Sequence, residues 1–156
     1  MVQLLPLSAE EFDSYLEQAI KDYAEDKIAA GNWQVSEALE NSRRDYLRLL
    51  PEGVRTANNY LFSIRRDAGE KVGVIWFALN PEGLKSNAFI YDFLIDEPYR
   101  RKGYGKAALL AAEEKAKALG ISTLSLHVFG HNQAARKLYE QLGYEITNIN
   151  MAKKLT

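Results

Sequence analysis

The spacing of apolar residues changes from one stretch of the chain to the next, and each change marks an element. After a short apolar opening at Val2 to Leu5, Ser8 followed by Glu11 is the pattern of a capping box at a helix start. Phe12, Tyr15, Leu16, Ala19, Ile20 and Tyr23 then recur at helical spacing, which predicts a helix laid on a core and broken at Gly31. Ser36 is placed to cap a second helix, with Leu39, Tyr46, Leu47 and Leu50 near one stripe and an end before Pro51. From Tyr60 the period falls to two, Tyr60, Phe62 and Ile64 alternating with Leu61, Ser63 and Arg65. Asp67 to Glu70 supply a turn into Val72 to Ala78, hence an antiparallel hairpin. Asn80, Pro81 and Gly83 are expected to turn the chain into a third strand, from about Ala88 to Ile95.

Helical spacing returns between Gly105 and Leu119, through Leu109, Ala112, Ala116 and Leu119, with Gly120 placed as the stop. Leu124, Leu126 and Val128 alternate as a strand. Asn132 can cap a last helix through Ala135, Leu138, Tyr139 and Leu142 to Gly143, and a final strand is expected from near Tyr144. The order is strand, two helices, three strands, helix, strand, helix, strand, which implies a mixed sheet covered by helices.

Composition narrows the classes open to such a fold. A length of 156 residues suits one domain spanning 1–156 and is short for two. Hydrophobic residues at 47% and charged residues at 26% are ordinary for a globular chain. A formal charge of −1 offers no global attraction to nucleic acid or an anionic membrane, so neither is expected as a partner. No apolar run is long enough to span a bilayer, and Met1 to Glu11 lacks the pattern of a signal peptide, so a cytoplasmic location is expected. The absence of cysteine excludes disulfides, thiolate metal sites and a cysteine-bound acyl intermediate.

Local charge departs from this neutral background at Arg100-Arg101-Lys102-Gly103-Tyr104-Gly105-Lys106, between the strand ending near Ile95 and the next helix. Glycines at 103 and 105 let the backbone curl closely and aim successive N–H groups at one anion, aided by the positive end of the helix. With Arg100, Arg101, Lys102 and Lys106 beside them, they suit a pyrophosphate. The spacing is wrong for a P-loop, since Ala107 rather than Ser or Thr follows Lys106. It fits a dinucleotide fingerprint poorly, because Ala108 stands where a third glycine belongs and no early strand-helix-strand unit surrounds it. A glycine-containing turn that only caps a helix is the plainer alternative.

Arg100-x-x-Gly103-x-Gly105 after a strand and before a helix resembles motif A of the GNAT superfamily of N-acetyltransferases. Downstream, Asn132-x-x-Ala135-x-x-Leu138-Tyr139-x-x-x-Gly143-Tyr144 resembles its motif B. The two motifs and the element order cover the chain from the central hairpin onward; the region before about Asn58 matches only as two helices. The resemblance implies an α/β (α+β) GNAT-like fold, a single mixed, mainly antiparallel sheet flanked by helices. It implies an acetyl-CoA cosubstrate, with the backbone of Arg101, Lys102, Gly103, Tyr104, Gly105 and Lys106 on the pyrophosphate and Arg100 beside it. Leu94 and Ile95 would lie along the pantetheine arm as an added strand. Asn132 would meet the pantetheine, and Ala135 would leave room for the cofactor. It also implies direct transfer in a ternary complex to an amine, whether a small molecule, a peptide N-terminus or a lysine.

Aminolysis of a thioester needs a neutral amine, a polarised carbonyl and a proton for the departing sulfur. Tyr139, in motif B, is the candidate acid; its plainer reading is a core tyrosine. Asp92, inside the apolar run Phe89 to Ile95, is the candidate base, since a carboxylate there is costly without a role or a partner. An ion pair, a solvent-facing position and a water-relayed base are its alternatives. His127 and His131 fall at no motif position or metal-ligand spacing, so no metal site is expected. Trp33 and Trp76 read as core or cleft lining, and Arg136 and Lys137 as a solvated helix face or partners of the nucleotide's 3′-phosphate. A non-catalytic acyl-CoA-binding regulatory module is the competing function, and both monomer and homodimer remain open.

Overall fold

The computed structural model of the chain describes residues 1–80 and 86–156. Strand β1 (Val2–Pro6) leads into helices α1 (Ala9–Ala29) and α2 (Val35–Leu49), followed by strands β2 (Asn59–Arg66), β3 (Lys71–Leu79) and β4 (Asn87–Ile95). Helix α3 (Tyr104–Ala118), strand β5 (Thr123–Leu126) and helix α4 (Gln133–Gln141) complete the regular structure, with one-turn 3-10 helices at Gly53–Arg55 and Glu97–Tyr99. The strands lie in chain order, β1-β2-β3-β4-β5, antiparallel except for the parallel pair β4–β5. The result is the expected mixed, mainly antiparallel sheet flanked by helices. Pro81 and Gly83 of the turn expected before β4 lie outside the described residues; beside them the Asn80 amide donates to the Asn87 carbonyl at 3.0 Å.

Helices cover both faces, so the alternation in β2 and β3 sorts apolar residues between two cores rather than between core and water. Phe62, Ile64, Ile75 and Phe77 meet Leu109 and Ala112 of α3. Leu61, Val74 and Trp76 meet Phe12, Tyr15 and Ala19 of α1 and Tyr46 of α2. The α1 start is as its sequence demands: Ser8 Oγ accepts from the Glu11 amide and Glu11 Oε1 from the Ser8 amide, both at 3.1 Å.

Helix α2 differs from expectation in start and face. Its N-cap is Gln34, not Ser36. Leu39 and Leu47 face solvent, while Ala38, Ser42 and Tyr46 are buried. The reason is close packing, because small side chains at 38 and 42 let α2 approach α1, and the Ser42 hydroxyl is satisfied by donating to the Ile20 carbonyl at 2.7 Å.

The strand expected from near Tyr144 does not form. Residues 144–156 have no regular secondary structure, and from Glu145 onward all are exposed. A strand needs a paired neighbour, and this segment, without glycine or proline, holds no strong turn signal to fold it back on itself. Among the described residues no helix is long and apolar enough to cross a membrane.

Candidate active site

Strand β4 builds the site through two irregularities. Its pairing with β3 shifts between Trp76 and Phe77, which face Asp92 and Ile90 and leave Tyr91 as an extra, bulged residue. A bulge re-aims neighbouring side chains; Tyr91 stacks on Trp76 at 4.7 Å between ring centroids, and Asp92 turns towards α1. The second irregularity is separation. Strands β4 and β5 pair only from Asn87 opposite Thr123 to Ile90 opposite Leu126, after which β4 runs on to Ile95 and the chain at His127 leaves the sheet. Gly73 lets β4 lie close against β3 here, because a Cβ there would collide with the Leu94 carbonyl oxygen. Leu94 and Ile95 thus present a strand edge that β5 does not cover.

A cavity of about 1050 Å³ opens at the separation. Asp92, Leu94, Arg100, Asn132 and Tyr139, five of the residues singled out from sequence, line it. Ile95, the 101–106 turn and Ala135 adjoin it without lining it.

The turn has the backbone that an anion needs. Arg101 and Gly103 both adopt the left-handed conformation, with φ of 62° and 84°. Among the described residues no side chain caps α3, so the first amides of the helix are left without a capping acceptor. Arg100 Nε donates to the Ile95 carbonyl at 2.7 Å and ties the turn to the end of β4, whereas Arg101, Lys102 and Lys106 are exposed. The Tyr104 ring meets the Tyr99 ring edge-on, 6.4 Å between centroids.

Gly105 has a packing role. A Cβ at 105 would meet Leu138 Cδ2 at 3.2 Å and Phe93 Cζ at 3.5 Å, so this glycine makes room for α4 against α3. Gly105→Val is therefore expected to lower stability by about 1–3 kcal/mol through overpacking, read as a reduced urea midpoint. An unchanged midpoint would remove the packing role.

Asp92 is a held carboxylate. Oδ2 accepts from the Tyr15 hydroxyl at 2.6 Å and Oδ1 from the Phe93 amide at 3.0 Å. Burial raises its pKa above the ordinary carboxylate range; the two hydrogen bonds oppose the rise, and the charges of Asp22 and Asp26 add to it. The Tyr15 phenol, buried against Asp92 and Tyr46, is pushed well above its usual pKa, and so is Tyr46. Tyr139 is raised by burial first and then by the charges of Asp92 and Tyr144, so its phenol keeps its proton throughout the working range. Its ring packs at 6.3 Å from Phe93 and 5.7 Å from Tyr144.

The remaining candidates separate. Asn132 caps α4, Oδ1 accepting from the Ala135 amide at 3.3 Å. His131 pairs with Asp26 at 2.9 Å, and burial, with Lys27 nearby, lowers the pKa of His127. Trp76 is buried, its Nε1 donating to Asn59 Oδ1 at 2.8 Å, while Trp33 meets Tyr23 edge-on at 5.6 Å. Arg136 is engaged by Glu140 at 2.9 Å. Tyr15 and Tyr46 were legible only as apolar-face residues; Tyr15 meets Asp92 from 77 positions away in sequence, a contact no local pattern announces.

A parallel strand pair that opens beside a basic, left-handed turn at a helix start suits a ligand that carries a pyrophosphate and an extended, amide-bearing arm. The chain belongs to the acetyltransferase (GNAT) family, whose model matches residues 15–144. It is 47% identical over 154 residues, 99% of each chain, to the uncharacterized N-acetyltransferase YycN of Bacillus subtilis, and 38% identical over 149 residues to YdgE of the same organism, covering 96% and 95%. The crystal structure of YycN superposes with a TM-score of 0.96 at 46% identity, covering 100% of this chain and 99% of that one. The paiA N-acetyltransferase of Thermoplasma acidophilum, solved in complex with coenzyme A, shares the fold with a TM-score of 0.71 at 22% identity, covering 96% and 93%. The chain is thus an acetyl-CoA-dependent acyltransferase, and the non-catalytic module has no support.

Proposed function

We propose that this enzyme acetylates a primary amine on an acceptor that carries at least one further positive charge. The observation behind this reading is the charge of the cavity on its α1 side. Of the carboxylates there, Asp26 pairs with His131 at 2.9 Å and Asp45 with Arg48 at 3.8 Å. Asp22, bonded only to the Gln18 amide at 2.9 Å, Glu25 and Asp92 have no cation within ion-pair distance among the described residues. Against the one α1 cation that lines the cavity, Lys27 over the Tyr23 ring at 5.6 Å, these three unpaired carboxylates, with the aromatic rings of Tyr91 and Phe129, favour a cationic guest.

The coenzyme supplies an acetyl group activated as a thioester. In this reading the amides of 104–106 and the basic side chains of the turn hold the pyrophosphate, and the open edge at Leu94 and Ile95 pairs with the pantetheine amides. Asn132 and Ala135 border the same arm. Asp92 takes a proton from the acceptor ammonium, directly or through water, so that the nitrogen lone pair can attack the acetyl carbon. As the new C–N bond forms and the C–S bond breaks, the Tyr139 hydroxyl gives a proton to sulfur and the nitrogen loses its second proton to water, leaving a neutral amide. The proton on Asp92 passes to solvent, and Tyr139 is reprotonated from it.

The test compares a diamine with a monoamine of the same length, followed by release of coenzyme A thiol. The diamine is expected to show the higher kcat/KM, by about tenfold, and Asp22→Asn to erase that preference with little effect on the monoamine. Equal use of both amines would remove the cationic acceptor.

A further inference from the structure

Tyr15 carries a hydroxyl that the packing of α1 does not require. The helix buries Phe12, Tyr15, Ala19 and Ile20 against the sheet, an apolar face that a phenylalanine at 15 would also complete. Its hydroxyl instead crosses the interface and donates to Asp92 Oδ2 at 2.6 Å. Burying a hydroxyl is unfavourable without such a bond, and a bond this short to a carboxylate is of the stronger, charge-assisted kind. The Phe93 amide donates to Oδ1 at 3.0 Å, so each oxygen has a fixed donor and keeps a lone pair for a proton.

The rest of the surroundings opposes a charge on Asp92. Burial acts first, and the carboxylates of Asp22 and Asp26 on α1 add to it. Glu25 and Asp96, which line the same cavity, have the same sign. Tyr46 of α2 and Tyr139 of α4 feel the Asp92 charge and are held protonated by it and by burial. His127, after β5, is kept neutral by its lowered pKa. The cations of the cavity wall are engaged elsewhere. Lys27 stands over the rings of Tyr23 and Trp33 at 5.6 and 5.2 Å, and Arg48 pairs with Asp45 at 3.8 Å. Arg100 is tied to the Ile95 carbonyl at 2.7 Å, and Lys71 acts on Glu11. Among the described residues, Tyr15 is therefore the one side chain that donates to the carboxylate. Its own phenol, pushed well above the usual pKa, does not give up its proton.

We propose that Tyr15 is a positioning residue of the reaction, whose hydroxyl keeps the Asp92 carboxylate ionised and oriented to take the proton of the acceptor ammonium. The role rests on the reading of Asp92 as the base. Tyr15 acts through Asp92 and transfers no proton itself: the proton that Asp92 takes leaves to solvent, and the phenol keeps its own.

Tyr15→Phe deletes the hydroxyl and keeps the ring. Two titrations read the result: the Asp92 carboxyl by carbon-13 NMR, its signal identified by its loss in Asp92→Asn, and kcat/KM of a diamine against pH. Both are expected to move together to higher pH by about one to two units, the worth of a hydrogen bond to a charged group, with acetyl-CoA affinity unchanged. In an Asp92→Asn background, Tyr15→Phe is expected to lower kcat/KM no further; losses that add would make Tyr15 a packing residue and overturn the role. Tyr15→3-fluorotyrosine keeps the ring and the hydroxyl and makes the phenol a stronger donor. It is expected to move both titrations to lower pH, and it decides the matter if Tyr15→Phe fails to fold. A carboxyl titration that neither change moves would overturn the role of Tyr15 whatever Asp92 does. A carboxyl that moves while the rate profile stays would instead overturn Asp92 as the base, and the positioning role with it.

Discussion

Tyr139→Phe is expected to lower kcat by about 10²-fold to 10⁴-fold while acetyl-CoA affinity changes little. The substitution keeps the ring that packs against Phe93 and Tyr144 and removes only the hydroxyl. That hydroxyl has no hydrogen-bond partner among the described residues, so its loss orphans nothing. Burial and the charge of Asp92 raise its pKa, so it remains a donor across the neutral range and the loss should be nearly independent of pH. Single-turnover kinetics beside a calorimetric dissociation constant separate the two effects. Full activity in the variant would make Tyr139 a packing residue.

A second large loss is expected at Asp92, and here pH is the discriminating variable. Asp92→Asn should lower kcat/KM by about 10²-fold at neutral pH, with recovery as rising pH deprotonates the amine unaided. The parent should gain activity as pH climbs through a carboxylate pKa above the ordinary range, because burial favours the neutral acid. The Asn variant should lack that limb.

Stability should move the other way. An acid whose pKa is raised on folding binds its proton more tightly in the folded state, so the parent loses stability as pH rises from the unfolded pKa through the folded one. The variant, with no charge to bury, should lose none there and equal or exceed the parent at neutral pH. Denaturant midpoints across acidic to neutral pH check the sign. A pH-rate profile identical to the parent's would remove Asp92 from the mechanism.

Both residues stood out in the sequence because each carries a signal that survives without tertiary structure. A carboxylate inside Phe89 to Ile95 is conspicuous against its neighbours, and Tyr139 stands at a motif spacing on a helical face. The same holds for the capping box at Ser8, the Asn132 cap and the basic turn at 100–106, where the interacting atoms lie within a few residues of one another. Periodicity was equally sufficient for the sheet order, since each strand of β2 to β4 follows its partner after a short connection.

Only the tertiary structure decided the rest, and in each case the partner is distant along the chain. The Tyr15 bond to Asp92 joins α1 to β4 and makes a core-like tyrosine part of the site. Gly105 gains a packing role because Leu138 arrives beside it from α4, a contact that no count of glycines in the turn contains. The buried face of α2 follows Ala38 and Ser42, because close helix packing selects small residues over the larger leucines beside them. Whether 144–156 becomes a strand is likewise not a property of its own pattern. A strand's backbone hydrogen bonds are made to a neighbour, so alternation specifies a surface able to pair, while the fold decides whether a partner is within reach.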